Sequence, residues 1–171
     1  PGRILGVSGP VSAGKSTLLR VLAAPWDLSG LSVAGGAVLN GAPLWQRDAR
    51  GRPAQIVLLP EAPLLAPGTG LANAACFQDG PVADQARRNL EQLLLSKDDT
   101  DRICAATDAR HLSASAQKAI AFARAFVISP QLYLFDRPED LVSDGLIRTL
   151  ATRLDQERRI GRVVVLVTEN R

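Results

Sequence analysis

The segment Gly9–Thr17, with the sequence GPVSAGKST, constrains the fold of this chain more than any other segment. It fits the pattern G-x-x-x-x-G-K-[ST] of phosphate-binding loops. An apolar run, Ile4–Val7, precedes it as a strand would, and the helix-favouring residues 18–22 follow it. In such a strand–loop–helix unit, backbone N–H groups and the positive end of the helix dipole converge on phosphate oxygens. The residues predicted to bind a nucleotide are Gly9, Ser12, Ala13, Gly14, Lys15, Ser16 and Thr17.

Length and composition exclude several other classes of protein. At 171 residues, with 46% hydrophobic and 22% charged residues, the chain has the properties of one folded domain. Its apolar runs, such as Val163–Val167, are too short to cross a bilayer. The net charge of +3 is small and no block of Lys or Arg accompanies it, so we predict no nucleic-acid partner. Cys76, Cys104 and His111 have no companions at the spacing of metal ligands.

The start of the chain indicates what surrounds it in the whole protein. The sequence contains no Met, and Pro1-Gly2-Arg3 leads directly into a strand without the pattern of a signal peptide. We therefore expect a cytosolic piece of a longer polypeptide, whose other parts could include membrane-spanning domains.

Alternation of apolar strands with amphipathic helices predicts an α/β fold. Strands are predicted at Ile4–Val7, Ile56–Leu59, Leu132–Phe135 and Val163–Val167, with a hairpin at Leu31–Leu39 closed by Asn40-Gly41. Helices are predicted at Val82–Leu95, Thr100–Ala106, Ala114–Val127 and Val142–Arg158, with a short one within Gly68–Phe77. This order favours a mostly parallel sheet covered on both faces. Ligands bind beyond the carboxyl ends of such strands, where the phosphate loop, Asp136 and the segment after Val167 are expected.

Five further motifs, in this order, resemble the nucleotide-binding domain of exporter-type ABC transporters. The similarity covers nearly the whole chain. The motifs are the Q-loop region Leu58–Thr69 with Asn73, the signature Leu112-Ser113-Ala114-Ser115-Ala116, the helix Ala119–Phe126, the Walker B strand Leu132–Asp136, and the strand Val163–Thr168 that leads to the switch position.

The resemblance implies a fold, cofactors and partners. It implies a P-loop NTPase with a mostly parallel central sheet flanked by helices, a small N-terminal antiparallel β portion, and a helical subdomain at about 69–128; residues 1–171 would form one truncated domain. ATP and Mg²⁺ are the implied ligands, with Ser16, Asp136 and Glu61 as candidate metal ligands. The implied partners are a second nucleotide-binding domain, as a homo- or heterodimer, and a transmembrane domain. The implied place is the cytoplasmic face of the (inner) membrane, within a larger transporter.

Several positions depart from the pattern of this family. Arg137 replaces the catalytic Glu, Glu169 replaces the switch His, and Glu61 replaces the Q-loop Gln. The two glycines and the Gln of the signature become Ala114, Ser115 and Ala116, and the D-loop reads Asp140-Leu141-Val142-Ser143. Ser12 replaces a loop glycine and should narrow the conformational freedom of the loop, because Ser tolerates positive φ poorly.

These replacements predict weak or absent hydrolysis. A guanidinium cannot accept a proton, and loss of a positioned base costs roughly 10²- to 10⁴-fold in rate. A carboxylate at 169 would repel the γ-phosphate by about 4 kcal/mol at 4 Å and an effective dielectric near 20. The resemblance implies that positions 137 and 169 both face the γ-phosphate, and they carry opposite charges here, so we expect an ion pair between Arg137 and Glu169; separate solvation of the two side chains is the alternative.

Four functional hypotheses remain open at this point. The first is a degenerate domain that binds Mg·ATP and couples dimerisation to transport. The second is a competent ATPase of the same family with atypical residues. The third is a non-transport protein such as a small-molecule kinase, although no basic lid or acceptor-binding motif supports it. The fourth is a nucleotide-independent interaction module, which the intact Lys15, Ser16, Thr17 and Asp136 argue against.

Overall fold

A four-stranded parallel sheet forms the centre of the protein. The computed structural model describes residues 2–24, 29–30, 32–39, 41–45 and 56–169. Six strands are present in this part of the chain: β1 Arg3–Val7, β2 Val38–Leu39, β3 Ala42–Pro43, β4 Ile56–Leu59, β5 Leu132–Asp136 and β6 Val163–Val167. The central sheet has the order β1-β6-β5-β4, and β2 pairs with β3 in a small antiparallel ribbon. The predicted parallel sheet and antiparallel portion are confirmed.

Six α-helices and one short 3-10 helix lie in the described residues. The helices are α1 Lys15–Ala23, α2 Gly70–Ala74, α3 Pro81–Leu94, α4 Lys97–Ala105, α5 Ala114–Ile128 and α6 Asp144–Arg159, with the 3-10 turn at Ala109–His111. Helices α2 to α5 all lie between β4 and β5 in the chain, which is the segment predicted to be helical. The boundary of a separate helical subdomain at 69–128 stays a prediction.

Alternate residues of β5 pack on opposite faces of the sheet. On one face Leu134 joins Leu19 of α1 and Val167 of β6 in a buried cluster. On the other face Tyr133 and Phe135 join the larger cluster formed with α5 and α6. Every residue of β5 is buried, as expected for a strand covered on both sides.

The edge strand β1 differs from this expectation. It pairs only with β6, and Ile4 and Leu5 are 38% and 48% exposed. Coverage of both faces therefore holds for the central strand β5 and not for β1 within the described residues. The predicted hairpin is also shorter than expected, since its strands are β2 and β3, while Leu31 and Asn40 lie outside the described residues.

A buried asparagine holds the chain between β4 and α2. Asn73 is fully buried, and its side chain accepts from the amide of Ala66 at 2.9 Å and donates to the carbonyl oxygens of Ala66 and Thr69. Thr69 also caps α2, accepting from the amide of Ala72 at 3.0 Å. These bonds satisfy the backbone of a loop that has no sheet partner, so they fix its path past the end of β4.

Candidate nucleotide-binding edge

The carboxyl ends of the four parallel strands place four loops side by side. Two backbone bonds extend the sheet beyond the strands: the Thr168 amide donates to Val7 O at 3.1 Å, and the Arg137 amide donates to Val167 O at 2.9 Å. The order of the edge is therefore the phosphate loop, the segment 168–169, the segment 136–137 and the segment 60–61. The structure thus brings together Arg137, Glu169 and Glu61 and places Lys15 at the same edge of the sheet, although the sequence places these residues far apart.

The phosphate loop connects β1 to α1 as predicted. Residues 10–14 are exposed, and α1 begins at Lys15 directly after Gly14, whose φ of 82° favours glycine. Lys15 Nζ donates to Gly9 O and Pro10 O, both at 2.9 Å, so the ammonium lies over the loop. No side chain caps the start of α1, which leaves its first amides available to an anion.

Ser12, which stands where the resembled family has a glycine, adopts a left-handed backbone conformation, and this conformation is costly for a serine. Its φ is 65°. A non-glycine residue in this region costs about 1–2 kcal/mol relative to the right-handed conformation. The loop therefore keeps a geometry suited to glycine in spite of the serine, and the strain lies at the candidate binding site, where such strain is commonly found.

Asp136 has the properties of a metal ligand. It ends β5, is 8% exposed, and its Oδ1 is buried without a hydrogen-bond partner in the described residues. An unpaired buried carboxylate oxygen is costly unless a cation or donor reaches it. Ser16 lies in the first turn of α1, whose Leu19 packs against the same strand. This oxygen donor set suits Mg²⁺.

The backbone of Arg137 is held in a strained conformation by three hydrogen bonds. Its φ is 48°, in the left-handed region. The amide donates to Val167 O, while the carbonyl accepts from Lys118 Nζ at 2.7 Å and from the Asp140 amide at 3.2 Å. Because two of these partners come from other elements, Val167 from β6 and Lys118 from α5, the surrounding fold determines where residue 137 lies.

The Arg137 side chain connects three carboxylates at the edge. Its Nη2 lies 2.6 Å from Glu169 Oε1, its Nη1 lies 3.2 Å from Glu61 Oε1, and its Nε lies 3.0 Å from Asp140 Oδ2 without hydrogen-bond geometry. The predicted pair with Glu169 is confirmed. Burial opposes the charged form, but Asp140, Glu61 and Glu169 outweigh it and raise the pKa of the guanidinium. Glu61, a predicted Mg²⁺ ligand, is therefore engaged by Arg137 in this structure.

Sequence reasoning missed two charged residues behind this cluster, the buried Lys118 and the half-buried Glu139. Lys118 is 4% exposed; burial lowers its pKa, an effect that the nearby Asp140, Glu139 and Glu61 oppose. Glu139 Oε1 accepts from the Glu169 amide at 3.2 Å, and its Oε2 is buried without a partner in the described residues. The one available signal was a lysine within the apolar run of α5, where a charge is unusual without a partner.

The signature segment forms the start of α5. Ser113 is the N-cap, and its Oγ accepts from the Ala116 amide at 3.3 Å. Ser113 and Ala114 are exposed, Leu112 and Ser115 are half-buried, and the Ala116 side chain belongs to the core. A cleft of about 190 Å³ is lined by Ser113 and Ser115 together with Ser143 at the start of α6. The lining residues of this cleft include none from the phosphate loop, so the signature segment and the phosphate loop do not share it.

Two further observations concern the expectations from composition. Cys76 and Cys104 are free and half-buried, and burial raises the pKa of both thiols. Among the helices that the structure describes, none combines the length and the apolar character needed to cross a membrane.

Comparison with known families and proteins gives a consistent result. Residues 1–140 match the family model described as ABC transporter. The cytochrome c biogenesis ATP-binding export protein CcmA of Pseudomonas syringae pv. tomato is 30% identical over 173 residues, covering 99% of this chain and 76% of that protein. The phosphate import ATP-binding protein PstB of Saccharolobus solfataricus is 27% identical over 180 residues, covering 98% of this chain and 68% of that protein. Protein STAR1 of Oryza sativa subsp. japonica is 29% identical over 170 residues and 96% of this chain.

Solved structures share the fold. The dimeric ATP-binding cassette MJ0796 bound to ADP and Pi has a TM-score of 0.77 at 21% identity, covering 98% of this chain and 75% of that chain. A bacterial Atm1-family ABC exporter with ATP bound has a TM-score of 0.79 at 18% identity, covering 96% of this chain and 29% of that one. The chain spans only 47% of STAR1 and 62% of ABC transporter I family member 17 of Arabidopsis thaliana.

Proposed function

This chain belongs to the ABC transporter family, and we propose that it is an ATP-binding domain that binds Mg·ATP and hydrolyses it weakly or not at all. The observation that carries the proposal is the position of Arg137. Its guanidinium lies directly after Asp136 at the nucleotide edge and is paired with Glu169, Glu61 and Asp140. The phosphate loop supports binding, and the arginine opposes catalysis.

Binding would use the loop and the start of α1. Phosphate oxygens at the loop would accept hydrogen bonds from its backbone amides and from Lys15 Nζ. The ammonium would then give up its bonds to the carbonyl oxygens of Gly9 and Pro10, because a bond in which both partners are charged is stronger. Asp136 and Ser16 would hold the cation, with Glu61 joining only if it separates from Arg137. When bound, Mg²⁺ would neutralise part of the phosphate charge.

Hydrolysis needs a group that orients and deprotonates water beside the terminal phosphate. Arg137 remains protonated and offers no acceptor for a proton. The nearest carboxylates, Glu61 and Glu169, are held by the arginine, so neither is free to act as the base. Without a positioned base, the rate should be lower by roughly 10²- to 10⁴-fold.

Within a complete transporter the domain would act through partners. We propose a second nucleotide-binding domain, as a homo- or heterodimer, and a transmembrane domain, with this domain at the cytoplasmic face of the membrane. Since the chain spans about half of several relatives, these partners concern the whole protein. The exporter-type assignment rests on the segment Leu58–Thr69 alone, and the printed names of relatives include both import and export proteins.

Nucleotide binding is tested by thermal unfolding of the chain with Mg·ATP, Mg·ADP and no nucleotide. At 100 times the dissociation constant, ATP should add about 2.7 kcal/mol of stability. Lys15→Ala should abolish the increase, whereas Lys97→Ala, on the exposed surface of α4, should preserve it. Absence of any increase at millimolar ATP would contradict binding and favour the interaction-module hypothesis.

Hydrolysis is tested separately by phosphate release at saturating ATP. The wild-type chain should show little turnover, and the double variant Arg137→Glu, Glu169→His should release phosphate at least tenfold faster. Turnover by the wild type that Lys15→Ala abolishes would instead establish a competent ATPase with atypical residues.

A further inference from the structure

A cavity separate from the candidate nucleotide-binding edge lies between α3, α5 and α6. Its volume is about 410 Å³, within the range of small-molecule sites. Leu93 and Phe126, which are 2% and 4% exposed, belong to its lining and give it an apolar base. None of the lining residues belongs to the phosphate loop, the Arg137 cluster or the signature.

The charged residues that line this cavity are all positive. Of its ten residues two are arginines, Arg148 and Arg153, and none is acidic. The remaining polar groups are amides and hydroxyls, including those of Gln92 and Thr152. Donors from a guanidinium, an amide and a hydroxyl that face one space favour a ligand rich in acceptors.

Arg153 is held in place by its neighbours. Its guanidinium carbon lies 5.1 Å from the ring centroid of Phe126, and its Nη2 lies 3.0 Å from Glu157 Oε1. Glu157 is itself fixed, since its Oε2 accepts from the buried hydroxyl of Tyr133 at 3.1 Å. A guanidinium ordered in this way loses little conformational freedom when a ligand binds.

Arg148 supplies a positive charge that no carboxylate in the described residues neutralises. It lies five residues before Arg153 on α6, lines the same cavity, and makes no ion pair with any residue in the described part of the chain. Between them, Thr149 Oγ1 donates to Leu93 O at 2.7 Å, which joins α6 to the end of α3. The two arginines are therefore presented from a helix that is anchored to the opposite wall.

We propose that this cavity binds a small organic anion, with a phosphate or carboxylate at Arg148 and Arg153 and a small apolar group over Leu93 and Phe126. Guanidinium groups recognise both kinds of oxyanion through charge-assisted hydrogen bonds. The apolar base supplies the hydrophobic contact that an inorganic ion could not use. The site is distinct from the candidate nucleotide site, because the two share no residue.

Phenyl phosphate is the probe for this site, titrated into the ¹⁵N-labelled chain and followed by calorimetry and by amide chemical shifts. Saturable binding with shifts confined to the ends of α3 and α6 is expected. Phenol lacks the anion and inorganic phosphate lacks the ring, so each should bind at least tenfold more weakly. Arg148→Glu should weaken phenyl phosphate at least tenfold, since loss of a hydrogen bond to a charged group is worth about 1.5 kcal/mol or more.

Two control variants separate this site from others. Arg88→Ala removes an exposed arginine of α3 that does not line the cavity, and Lys15→Ala disables the phosphate loop; both should leave the affinity unchanged. Because Arg148 has no ion partner in the described residues, its replacement should not impair folding. Equal binding of phenyl phosphate by Arg148→Glu and the wild type would overturn the proposal, and so would loss of binding in Lys15→Ala. Absence of saturable binding at about 10 mM phenyl phosphate would overturn it as well.

Discussion

Arg137 Nη2 lies 2.6 Å from Glu169 Oε1, and this ion pair joins the ends of the adjacent strands β5 and β6. The same guanidinium reaches Glu61 beyond β4 on the other side. Positions 137 and 169, where the resemblance to the family implies a catalytic base and a switch residue, therefore carry a charge pair that bridges the edge of the sheet. The pair explains how a carboxylate at 169 is accommodated there without an unpaired negative charge.

The Arg137 cluster should contribute to stability as well as block catalysis. Arg137→Ala leaves Glu61, Asp140 and Glu169 close together without their shared cation, so we expect the free energy of unfolding to fall at low salt, and by more than in Arg159→Ala. The loss should be smaller in 1 M NaCl, because these groups are partly exposed and salt screens them. Urea denaturation at both salt concentrations measures it.

Arg159→Ala is the matched control for that measurement. Its partner Asp155 keeps a second arginine, Arg158, and Arg159 is exposed, so the loss should stay within about 0.5 kcal/mol. An equal loss in the two variants, or a loss at Arg137 that salt does not change, would be inconsistent with the cluster described.

Lys118 should stabilise the turn after β5 through its bond to Arg137 O. Lys118→Met keeps the length of the side chain but removes the donor, so it should cost about 1–3 kcal/mol at pH 7. Burial lowers the pKa of Lys118 in the folded state, so between that value and 10.5 the unfolded chain binds more protons. The stability of the wild type relative to Lys118→Met should therefore rise with pH.

Urea denaturation of both proteins at pH 7 and pH 9.5 tests this dependence. The conservative variant Lys118→Arg keeps the positive charge but replaces the compact ammonium with a larger, planar guanidinium. Comparing it with Lys118→Met therefore separates the effect of the charge from that of the side-chain geometry. A stability difference that decreases between these two pH values would contradict the burial of Lys118.

Asp108 provides a separate test in acid. It accepts from the guanidinium of Arg110 at 2.6 Å and from the Arg110 amide, and these bonds lower its pKa to about 2 from 3.8. A lowered carboxyl pKa gives stability that is present above about pH 4 and is lost as pH falls through about 2. Asp108→Asn should therefore lower the melting temperature at pH 6 but have no such effect near pH 2.

The amide of that variant still offers an acceptor to the Arg110 backbone, so any difference from wild type reports the charge. Thermal unfolding at pH 6, 4, 3 and 2 gives the profile. A difference that is the same at every pH would assign the effect to packing rather than to ionisation.

The sequence predicted the strands better than the site. The bounds of β4 and β6 match the predicted runs because short apolar segments between turn residues leave few alternatives. Helix α6 begins at Asp144, two residues later than expected, because Ser143 caps it by accepting from the Leu146 amide. Local hydrogen bonding determined that boundary, and the apolar pattern alone did not reveal it.

The charge cluster was predictable only in part. Glu169 could be paired with Arg137 from sequence because opposite charges replace two residues that, by the resemblance to the family, both face the γ-phosphate. Glu61, which is 76 positions away, could not be assigned as a partner, since strand order was not known beforehand. Lys118 was missed for a different reason. The pattern of α5 indicated a single apolar stripe, whereas the helix is buried on nearly all sides.

Two glycines in helix first turns should respond in opposite ways to the same substitution. A Cβ at Gly70 would lie 2.3 Å from the backbone oxygen of Ile103, so Gly70→Ala requires α2 and α4 to separate. Such overpacking should cost about 2 kcal/mol or more of unfolding free energy. At Gly145 the nearest atom would be Ser143 Oγ at 3.8 Å, an ordinary contact. Gly145→Ala should therefore stabilise the protein by up to about 1 kcal/mol, because alanine favours helix.

Urea denaturation of the two variants beside wild type measures both changes with one method. Because each substitution adds the same methyl group in the first turn of a helix, propensity alone predicts favourable effects of similar size. The opposite signs arise only if α2 packs as closely on α4 as the structure places it. A stable Gly70→Ala variant would mean that this part of the helical segment is more open than described, and Asn73, which fixes the same loop, would then be the residue to substitute next.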